Sequence, residues 1–229
     1  DFTEAGEITL FINESQVAFL EDIMKAQGYL RADQMAGAFQ MLRSNDLIWS
    51  RVIRHYLLGE RTEMNDLMAW NADATRMPAK MHSEYLRHLF LENALSQGAY
   101  HVDGKLVALE DITAPMFVVG TEKDHVSPWK SVWKVGRLTG GTMHFLLTSG
   151  GHNAGIVSEP GHPHRHFRSA PVAGPHVEAE EWVAGTPQRE GSWWPEWSDW
   201  LRARMSGERE AAPVTDALGE APGSYVMLS

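Results

Sequence analysis

The chain has no cysteine, so none of its 229 residues can form a disulfide bond or supply a thiol nucleophile. It also has no Gly-x-Ser-x-Gly pentapeptide, and so lacks the sharp strand-to-helix turn that exposes a nucleophilic serine. No apolar run approaches the ~18 to 20 residues that a membrane-spanning helix needs. The net charge of −10, without clusters of Lys and Arg, argues against a nucleic-acid partner.

The chain does contain enough apolar residues, 43%, to fill the core of one large domain. Two short apolar runs, residues 116–120 and 144–147, are bounded by glycine and turn residues and are predicted to be buried strands. A helix is predicted between them, with Ser127 as its N-cap and Pro128 at its first position. Its apolar face carries Trp129, Val132 and Trp133.

A side chain that can hold or move a proton follows each predicted strand, Asp124 after the first and His152 after the second. The ends of parallel strands joined by a crossover helix lie at one edge of a sheet, so we expect the carboxylate and the imidazole to meet. Aspartate before histidine is the order that completes the triad of α/β-hydrolases, in which the nucleophile comes first. Because no nucleophile precedes them, either both residues are structural or the chain is part of a longer enzyme. The opening Asp1, without an initiator Met, favours truncation.

The remaining segments divide the chain into four expected parts. Residues 1–12 contain a strand-like run, and residues 13–98 carry helical patterns that fit a cap. Residues 99–206 would form the core with the Asp and His loops, and residues 207–229 are expected to be mostly disordered. The predicted fold class is therefore α/β, namely the C-terminal part of an α/β-hydrolase fold with a helical cap insertion.

Four helices are predicted in the cap: from Asn13 or Ser15 to Gly28, then 33–43, 46–58 and 79–95. We expect their apolar faces to lie in the core, with a dimer contact as the alternative for residues 17–58. Asp103-Gly104 predicts a tight hairpin, residues 156–191 are predicted to be irregular, and a last helix opens at Pro195. The faces comprise Val17, Phe19, Leu20, Ile23, Met24, Met35, Phe39, Leu42, Ile48, Val52, Tyr56, Leu57, Met81, Tyr85, Leu86, Leu89 and Phe90.

Other residues have two readings each. His125 either lines a pocket or caps the helix at Ser127, and Trp70 either anchors the cap or belongs to a substrate channel. Alternating histidines could share a face and bind a metal, but no carboxylate or thiolate completes a site, so no metal is expected. Tryptophans at nearly helical intervals indicate core packing, with a granule or membrane contact as the alternative. The alternating histidines are His162, His164 and His166, and the tryptophans are Trp193, Trp194, Trp197 and Trp200.

Six separated strings, in order along nearly the whole chain, together resemble one family. They are residues 42–49 (LRSNDLIW), 70–78 (WNADATRMP), 85–87 (YLR), 124–129 (DHVSPW), 149–155 (SGGHNAG) and 191–195 (GSWWP). The chain resembles the poly(3-hydroxyalkanoate) polymerases, especially the single-subunit poly(3-hydroxybutyrate) class. No single string is specific enough to carry the resemblance, but six in register are.

The resemblance implies a Cys-Asp-His triad acting on 3-hydroxyacyl-coenzyme A, with the cysteine in an elbow upstream of this chain. Asp124 and His152 match the family's catalytic aspartate and histidine. His152 would activate the thiol, and either His152 or Asp124 would deprotonate the hydroxyl that attacks the acyl enzyme. The resemblance also implies a homodimer in the cytoplasm, associated with polyester granules and the growing polyester, and no cofactor beyond the coenzyme A thioester substrate.

Two other functions stay open at this point. A serine in place of the upstream cysteine would favour an esterase or polymer depolymerase of the same fold, and the absence of any nucleophile would favour a non-catalytic granule-binding relative. Under every reading, the 229 residues alone are expected to be inactive.

Overall fold

A computed structural model describes residues 2–31, 34–37, 41, 48–60, 76–207, 210–211 and 213, and these residues form a mixed α/β arrangement. The strands are β1 (Tyr29–Leu30), β2 (Met77–Pro78), β3 (His101–Val102), β4 (Lys105–Leu106), β5 (Met116–Thr121), β6 (Met143–Thr148), β7 (His166–Pro171) and β8 (Arg189–Glu190). The α-helices are α1 (Glu14–Gln27), α2 (Ser50–Val52), α3 (Ala79–Glu84), α4 (Trp129–Trp133), α5 (Val135–Leu138), α6 (Ala179–Gly185) and α7 (Trp194–Arg202). Three 3-10 helices (Phe2–Glu4, Gly6–Phe11, Leu109–Asp111) and two π-helices (Ile53–Leu57, Tyr85–Leu91) complete the described elements.

The main sheet has the order β5-β6-β7-β8. Strands β5 and β6 are parallel, in register from Met116 opposite Met143 to Thr121 opposite Thr148, while β6–β7 and β7–β8 are antiparallel. The predicted strand, helix, strand unit is therefore confirmed. Parallel strands need a crossover, and α4 and α5 lie in the connection between them.

The prediction that residues 156–191 are irregular is wrong, because the segment contains β7, α6 and β8. The proline and glycine residues of this segment are typical of loops. Strand β7 forms nevertheless, because its backbone pairs with that of β6. Pro171 stands at the end of β7, where its missing N–H costs least.

Strand β6 is covered on both faces, because its successive side chains point to opposite sides of the sheet. Phe145 and Leu147 pack on one face with Trp133 of α4 and Trp182 of α6. Leu146 packs on the other face in a smaller cluster with Phe167 and Trp193. Helix α4 approaches closely: a Cβ at Gly120 would lie 2.9 Å from the Cβ of Trp129, so only glycine fits there.

Helix α1 begins and ends as the sequence predicts. The side chain of Asn13 accepts a hydrogen bond from the Gln16 backbone N–H at 3.0 Å, and Gly28 ends the helix with a φ of 81°. Val17 and Met24, one face of the helix, are buried. Phe19 was predicted to share this apolar face, but it is 65% exposed. Successive residues of an α-helix are about 100° apart around its axis, so Phe19 lies about 200° from Val17, on the opposite side.

Residues 7–12 do not form the predicted strand, and Gly6–Phe11 is a 3-10 helix instead. Gly6 has a φ of 58° and packs against the carbonyl of His125, which also accepts the Glu7 backbone N–H at 3.3 Å. The hydroxyl of Thr9 donates to the Gly6 carbonyl at 2.8 Å. Within the described residues no strand pairs with this segment, and the hydrogen bonds named here are local or to the loop at His125.

The other predicted cap helices form only in part. Helix α3, in which Met81 is 59% exposed, continues as the π-helix Tyr85–Leu91, in which Leu86 is buried. In the segment around α2, Tyr56 is 85% exposed, and Leu57 and Val52 are also exposed, so the prediction that this face lies in the core is wrong for the described chain. An apolar stripe shows that a helix can pack, but it does not supply the surface on which it packs.

The hairpin at Asp103-Gly104 is confirmed: β3 and β4 pair antiparallel around two residues with φ of 49° and 73°. None of the described helices combines the length and the apolarity needed to cross a membrane. The predictions for Phe39, Leu42, Trp70 and most of the tail fall outside the described residues.

Candidate active site

Asp124 and His152 meet at the edge of the sheet where β5 and β6 end. Nδ1 of His152 lies 2.9 Å from Oδ2 and 3.1 Å from Oδ1 of Asp124. The aspartate side chain is only 8% exposed, whereas the imidazole is 45% exposed. The structure therefore brings together the two residues that sequence reasoning paired, with the carboxylate shielded and the imidazole open to solvent.

The Asp124 carboxylate is held in its charged form by its own loop. Burial alone would raise the pKa of Asp124, but the Ser127 N–H, the His152 imidazole and the Val126 N–H outweigh it and hold that pKa below its ordinary value. The two backbone N–H groups donate to Oδ1 at 2.8 Å and 2.9 Å. An ionised carboxylate can only accept a hydrogen bond, so Nδ1 must carry the proton and Nε2 becomes the nitrogen that can accept one.

This arrangement corrects the predicted start of the helix after Asp124. Helix α4 begins at Trp129, and Pro128 rather than Ser127 is its N-cap, with no side-chain capping bond. Ser127 instead directs its backbone N–H at Asp124. The serine that sequence reasoning placed at a helix end therefore helps to position the carboxylate.

The loop that carries His152 is fixed by glycines and by two indole rings. Gly150 has a φ of 107°, and a Cβ there would lie 2.9 Å from the Cα of Gly155. The indole N–H of Trp193 donates to the Gly155 carbonyl at 3.1 Å, and that of Trp194 donates to the Ile156 carbonyl at 2.9 Å. The start of α7 thereby restrains the chain that follows the histidine.

The tryptophan predictions are partly confirmed. Trp193 is buried in the smaller core cluster, and Trp200 packs its ring 5.5 Å from that of Phe117, but Trp197 is 43% exposed. The hydrogen bonds from Trp193 and Trp194 to the histidine loop were not predicted. Their only signal in the sequence is the string GSWWP, which marks a helix start but not its partner.

A second imidazole–carboxylate pair lies beside the first. Nε2 of His166, at the start of β7, is 3.2 Å from both carboxylate oxygens of Glu122, which follows β5. His164 has a φ of 59°, so the histidine segment is not the extended run that a shared metal face requires. In the part of the chain that the structure describes, no three His, Cys, Asp or Glu side chains cluster as metal ligands would.

The side chain of His125 does not cap α4, so that interpretation is wrong. A role in lining a substrate pocket stays a prediction for His125, and Trp70 lies outside the described residues. His82, by contrast, was not singled out from the sequence, yet it is 2% exposed and lines a cavity of about 590 Å³. The same cavity reaches Val126 and Ser127, the two residues whose N–H groups hold Asp124.

A shielded carboxylate that accepts from Nδ1 of an open imidazole leaves Nε2 able to take up or give a proton, which is the arrangement that general acid–base catalysis uses. The chain matches no protein-family model. It is 40% identical over 232 residues to the poly(3-hydroxyalkanoate) polymerase subunit PhaC of Rhizobium etli, covering 99% of this chain and 36% of that protein. It is 41% identical over 235 residues to the poly(3-hydroxyalkanoate) polymerase of Methylorubrum extorquens, covering 100% of this chain and 38% of that protein.

The subunit PhaC of Cupriavidus necator is 34% identical over 239 residues, covering 99% of this chain and 40% of that protein. The chain therefore belongs to the poly(3-hydroxyalkanoate) polymerase family. It spans well under half of the length of each of these relatives.

Proposed function

We propose that this chain is the acid–base part of an acyltransferase that polymerises 3-hydroxyacyl groups from coenzyme A thioesters into polyhydroxyalkanoate. The observation that carries the proposal is the Asp124–His152 pair, held at 2.9 Å in a chain that belongs to the polymerase family. The nucleophile, a cysteine thiol, would come from residues outside this chain, since these 229 contain none.

His152 would act as the proton carrier in both halves of the reaction. Nε2 takes the proton of the thiol, the thiolate attacks the thioester carbonyl, and the C–S bond to coenzyme A breaks as the leaving thiolate takes that proton. In the second half, Nε2 takes the proton of a chain-end hydroxyl, the oxygen attacks the acyl enzyme, and the enzyme C–S bond breaks. The imidazolium returns that proton to the freed cysteine thiolate, which restores the thiol and the neutral imidazole for the next monomer.

Asp124 would orient His152 rather than act on the hydroxyl itself. Its side chain is 8% exposed, and its oxygens already accept from His152, Val126 and Ser127. A group in that position stabilises the imidazolium that forms during proton transfer and fixes the productive tautomer. The geometry supports this role over direct deprotonation, which would need an open carboxylate oxygen.

The proposed fold is an α/β-hydrolase core, with residues 13–98 as a cap that excludes water from the acyl enzyme. The parallel β5–β6 pair, with a proton-handling residue after each strand, supports the core. We propose further that the protein is a cytoplasmic homodimer at the surface of polyester granules, and that it needs no cofactor beyond the coenzyme A of its substrate. These properties rest on the family.

The test is coenzyme A release from 3-hydroxybutyryl-coenzyme A by a longer polypeptide that contains this chain and a candidate nucleophile. His152→Gln is expected to lower the rate by about 10³- to 10⁶-fold, and Asp124→Asn by about 10³- to 10⁴-fold. His101→Gln, on the exposed β3, is the matched control and should leave the rate unchanged. The 229-residue chain alone should release none.

The product separates the competing functions. Insoluble polyester supports the polymerase, whereas free 3-hydroxybutyrate would indicate a hydrolase or depolymerase. No release from any longer polypeptide would indicate a non-catalytic granule-binding relative, which the absence of a nucleophile in this chain also allows.

A further inference from the structure

The loop that carries His152 is closed at its base by a row of three residues. The loop leaves β6 after Thr148 and returns to the sheet at His166, the first residue of β7. The Ser149 N–H donates to the His166 carbonyl at 2.9 Å, and the His166 N–H donates to the Ser149 hydroxyl oxygen at 3.1 Å. Glu122 completes the row, because its N–H donates to the Thr148 carbonyl at 2.9 Å. Both ends of the histidine loop therefore meet the end of β5 at one place.

Glu122 belongs to the turn that presents Asp124. The Asp124 N–H donates to the Thr121 carbonyl at 3.3 Å, so Glu122 is the second residue of a hydrogen-bonded turn and Asp124 is its last. The turn starts from a buried position, since Thr121 is 2% exposed. A force on the Glu122 side chain therefore acts directly on the segment that sets the position of the Asp124 carboxylate.

The side chains of Glu122 and His166 join across the end of β6. Neighbouring strands lie about 4.8 Å apart, so β5 and β7, on either side of β6, are separated by roughly 10 Å. Their main chains cannot bond directly over that distance. The side chains close it, because Nε2 of His166 lies 3.2 Å from both carboxylate oxygens of Glu122. The turn of Asp124 is thus linked to the returning end of the histidine loop.

The nitrogen that His166 uses distinguishes this pair from the first one. An ionised carboxylate can only accept, so Nε2 of His166 carries the proton, whereas His152 donates from Nδ1. His152 therefore keeps Nε2, the nitrogen farther from its main chain, for a reactant, but His166 has that nitrogen already engaged. The side chains of His166 and Glu122 are also 29% and 30% exposed, and ion pairs so placed contribute little to folding. These properties suit a pair that positions other groups.

We propose that Glu122 and His166 are positioning residues, whose hydrogen bond holds the histidine loop against the Asp124 turn and so keeps Nδ1 of His152 on the carboxylate. The row across the strand ends carries this inference, and only its effect on turnover rests on the proposed function. An imidazole whose Nδ1 is not held populates both tautomers. In one of them Nε2 carries the proton and cannot accept another, so loss of the Glu122–His166 bond removes the reactive form from part of the molecules.

The test is ¹⁵N nuclear magnetic resonance of the neutral His152 ring in the 229-residue chain, since the shifts of Nδ1 and Nε2 report which nitrogen carries the proton. His166→Phe and Glu122→Met keep much of the side-chain bulk and remove one partner each, so both should bring the two shifts closer together. His88→Phe is the matched control. His88 forms the same kind of pair with Glu92, at 2.7 Å on the π-helix, and its loss should leave the His152 shifts unchanged.

Conservative variants separate positioning from a general loss of structure. His166→Gln keeps a donor and Glu122→Gln keeps an acceptor, so both should restore the His152 shifts most of the way to their native values. The double variant with His166→Phe and Glu122→Met should change the shifts no more than either single one, because all three remove the same bond. If His166→Phe fails to fold, the comparison of Glu122→Met with Glu122→Gln decides the question alone.

Turnover supplies a second readout. In a longer polypeptide that releases coenzyme A, His166→Phe and Glu122→Met should lower kcat by about 10- to 100-fold and change KM by less than about twofold, since they misplace the base without touching substrate. Altered His152 shifts without coenzyme A release by any longer polypeptide would keep the positioning pair and reject the proposed polymerase function.

Four outcomes would overturn the proposal. The first is native His152 shifts in His166→Phe or in Glu122→Met, and the second is additive changes in the double variant. The third is a glutamine variant that behaves like the variant without the bond. The fourth is an unchanged kcat in an active polypeptide that lacks the bond.

Discussion

The sheet region (residues 99–206) and the helical region (residues 2–98) bury their apolar side chains to different extents. In the sheet region, Phe145 and Leu146 are completely buried between helices packed on both faces of β6. In the described part of the helical region, Val17 and Met24 are buried, but Tyr56 and Leu57 are among the most exposed apolar residues. The sheet region supplies its own packing partners, and the helical region does so only in part.

The two regions also differ in which part of the candidate site they carry. Asp124 and His152 lie in the sheet region, with Nδ1 of the imidazole 2.9 Å from Oδ2 of the carboxylate. The cavity lined by His82 lies where the helical region meets the sheet region. The Asp124–His152 pair and the cavity thus lie in differently packed parts of one chain.

The largest effect is expected from a core truncation in the sheet region. Phe145→Ala removes a ring that contacts Trp133 and Trp182, and should lower the free energy of unfolding by about 3 to 5 kcal/mol. Tyr56→Ala, in the helical region, should change it by less than about 0.5 kcal/mol. Urea unfolding followed by tryptophan fluorescence measures both, and similar losses would erase the contrast between the regions.

A smaller effect is expected at the contact between α7 and the histidine loop. Trp193→Phe keeps the aromatic ring but leaves the buried Gly155 carbonyl without its indole donor, at a cost of about 1 to 3 kcal/mol in unfolding free energy. Trp197→Phe, at an exposed position on the same helix, is the control and should cost less than about 0.5 kcal/mol. If the control loses as much, the hydrogen bond is not what holds the loop.

In the helical region, the N-cap of α1 is expected to contribute a modest amount. Asn13→Ala removes the acceptor for the Gln16 N–H and should cost about 1 kcal/mol in unfolding free energy. Ser15→Ala tests the alternative cap that the sequence allowed, and should be nearly neutral. Thermal unfolding followed by circular dichroism distinguishes the two variants. A larger loss of unfolding free energy in Ser15→Ala would indicate that Ser15, and not Asn13, is the N-cap.

The smallest effect concerns the pH dependence of the helical region. A hydrogen bond from Arg87, helped by one from Ser83, lowers the pKa of Glu21 from 4.5 to about 2. Because the folded pKa is the lower one, this stabilisation is present above pH 4.5 and is lost as the pH falls towards 2. Glu21→Gln should therefore flatten the fall in melting temperature between pH 5 and pH 3, although water screens a pair whose side chains are about one-third exposed.

Glu84→Gln is the control for this titration, since Glu84 pairs with Lys80 on the exposed surface of α3. An unchanged acid profile in Glu21→Gln, or an equal change in Glu84→Gln, would show that the Glu21–Arg87 pair does not set the acid stability.

Local signals explain what the sequence predicted well. The strands β5 and β6, the ends of α1 and the hairpin at Asp103 follow from apolar runs, capping residues and turn glycines within a few positions. The meeting of Asp124 with His152 followed from one further rule, the shared edge of parallel strands.

The features that sequence reasoning missed depend on partners far along the chain. Strand β7 forms because β6 pairs with it, and the segment at residues 6–11 turns because Gly6 packs against His125. The buried state of His82 and the loop contacts of Trp193 likewise come from tertiary packing. A single histidine on a helix has no sequence pattern that distinguishes a buried ring from a solvated one.

The backbone ladder between β5 and β6 continues beyond the two strands. The N–H of Glu122 donates to the Thr148 carbonyl, and that of Lys123 donates to the Gly150 carbonyl, both at 2.9 Å. The spacing of Asp124 and His152 is thus fixed by these short crosslinks and not by the length of the intervening crossover. A change in length between α5 and β6 is therefore expected to leave the pair in place, because the groups that hold Asp124 and the helix that packs on β5 and β6 lie before that stretch.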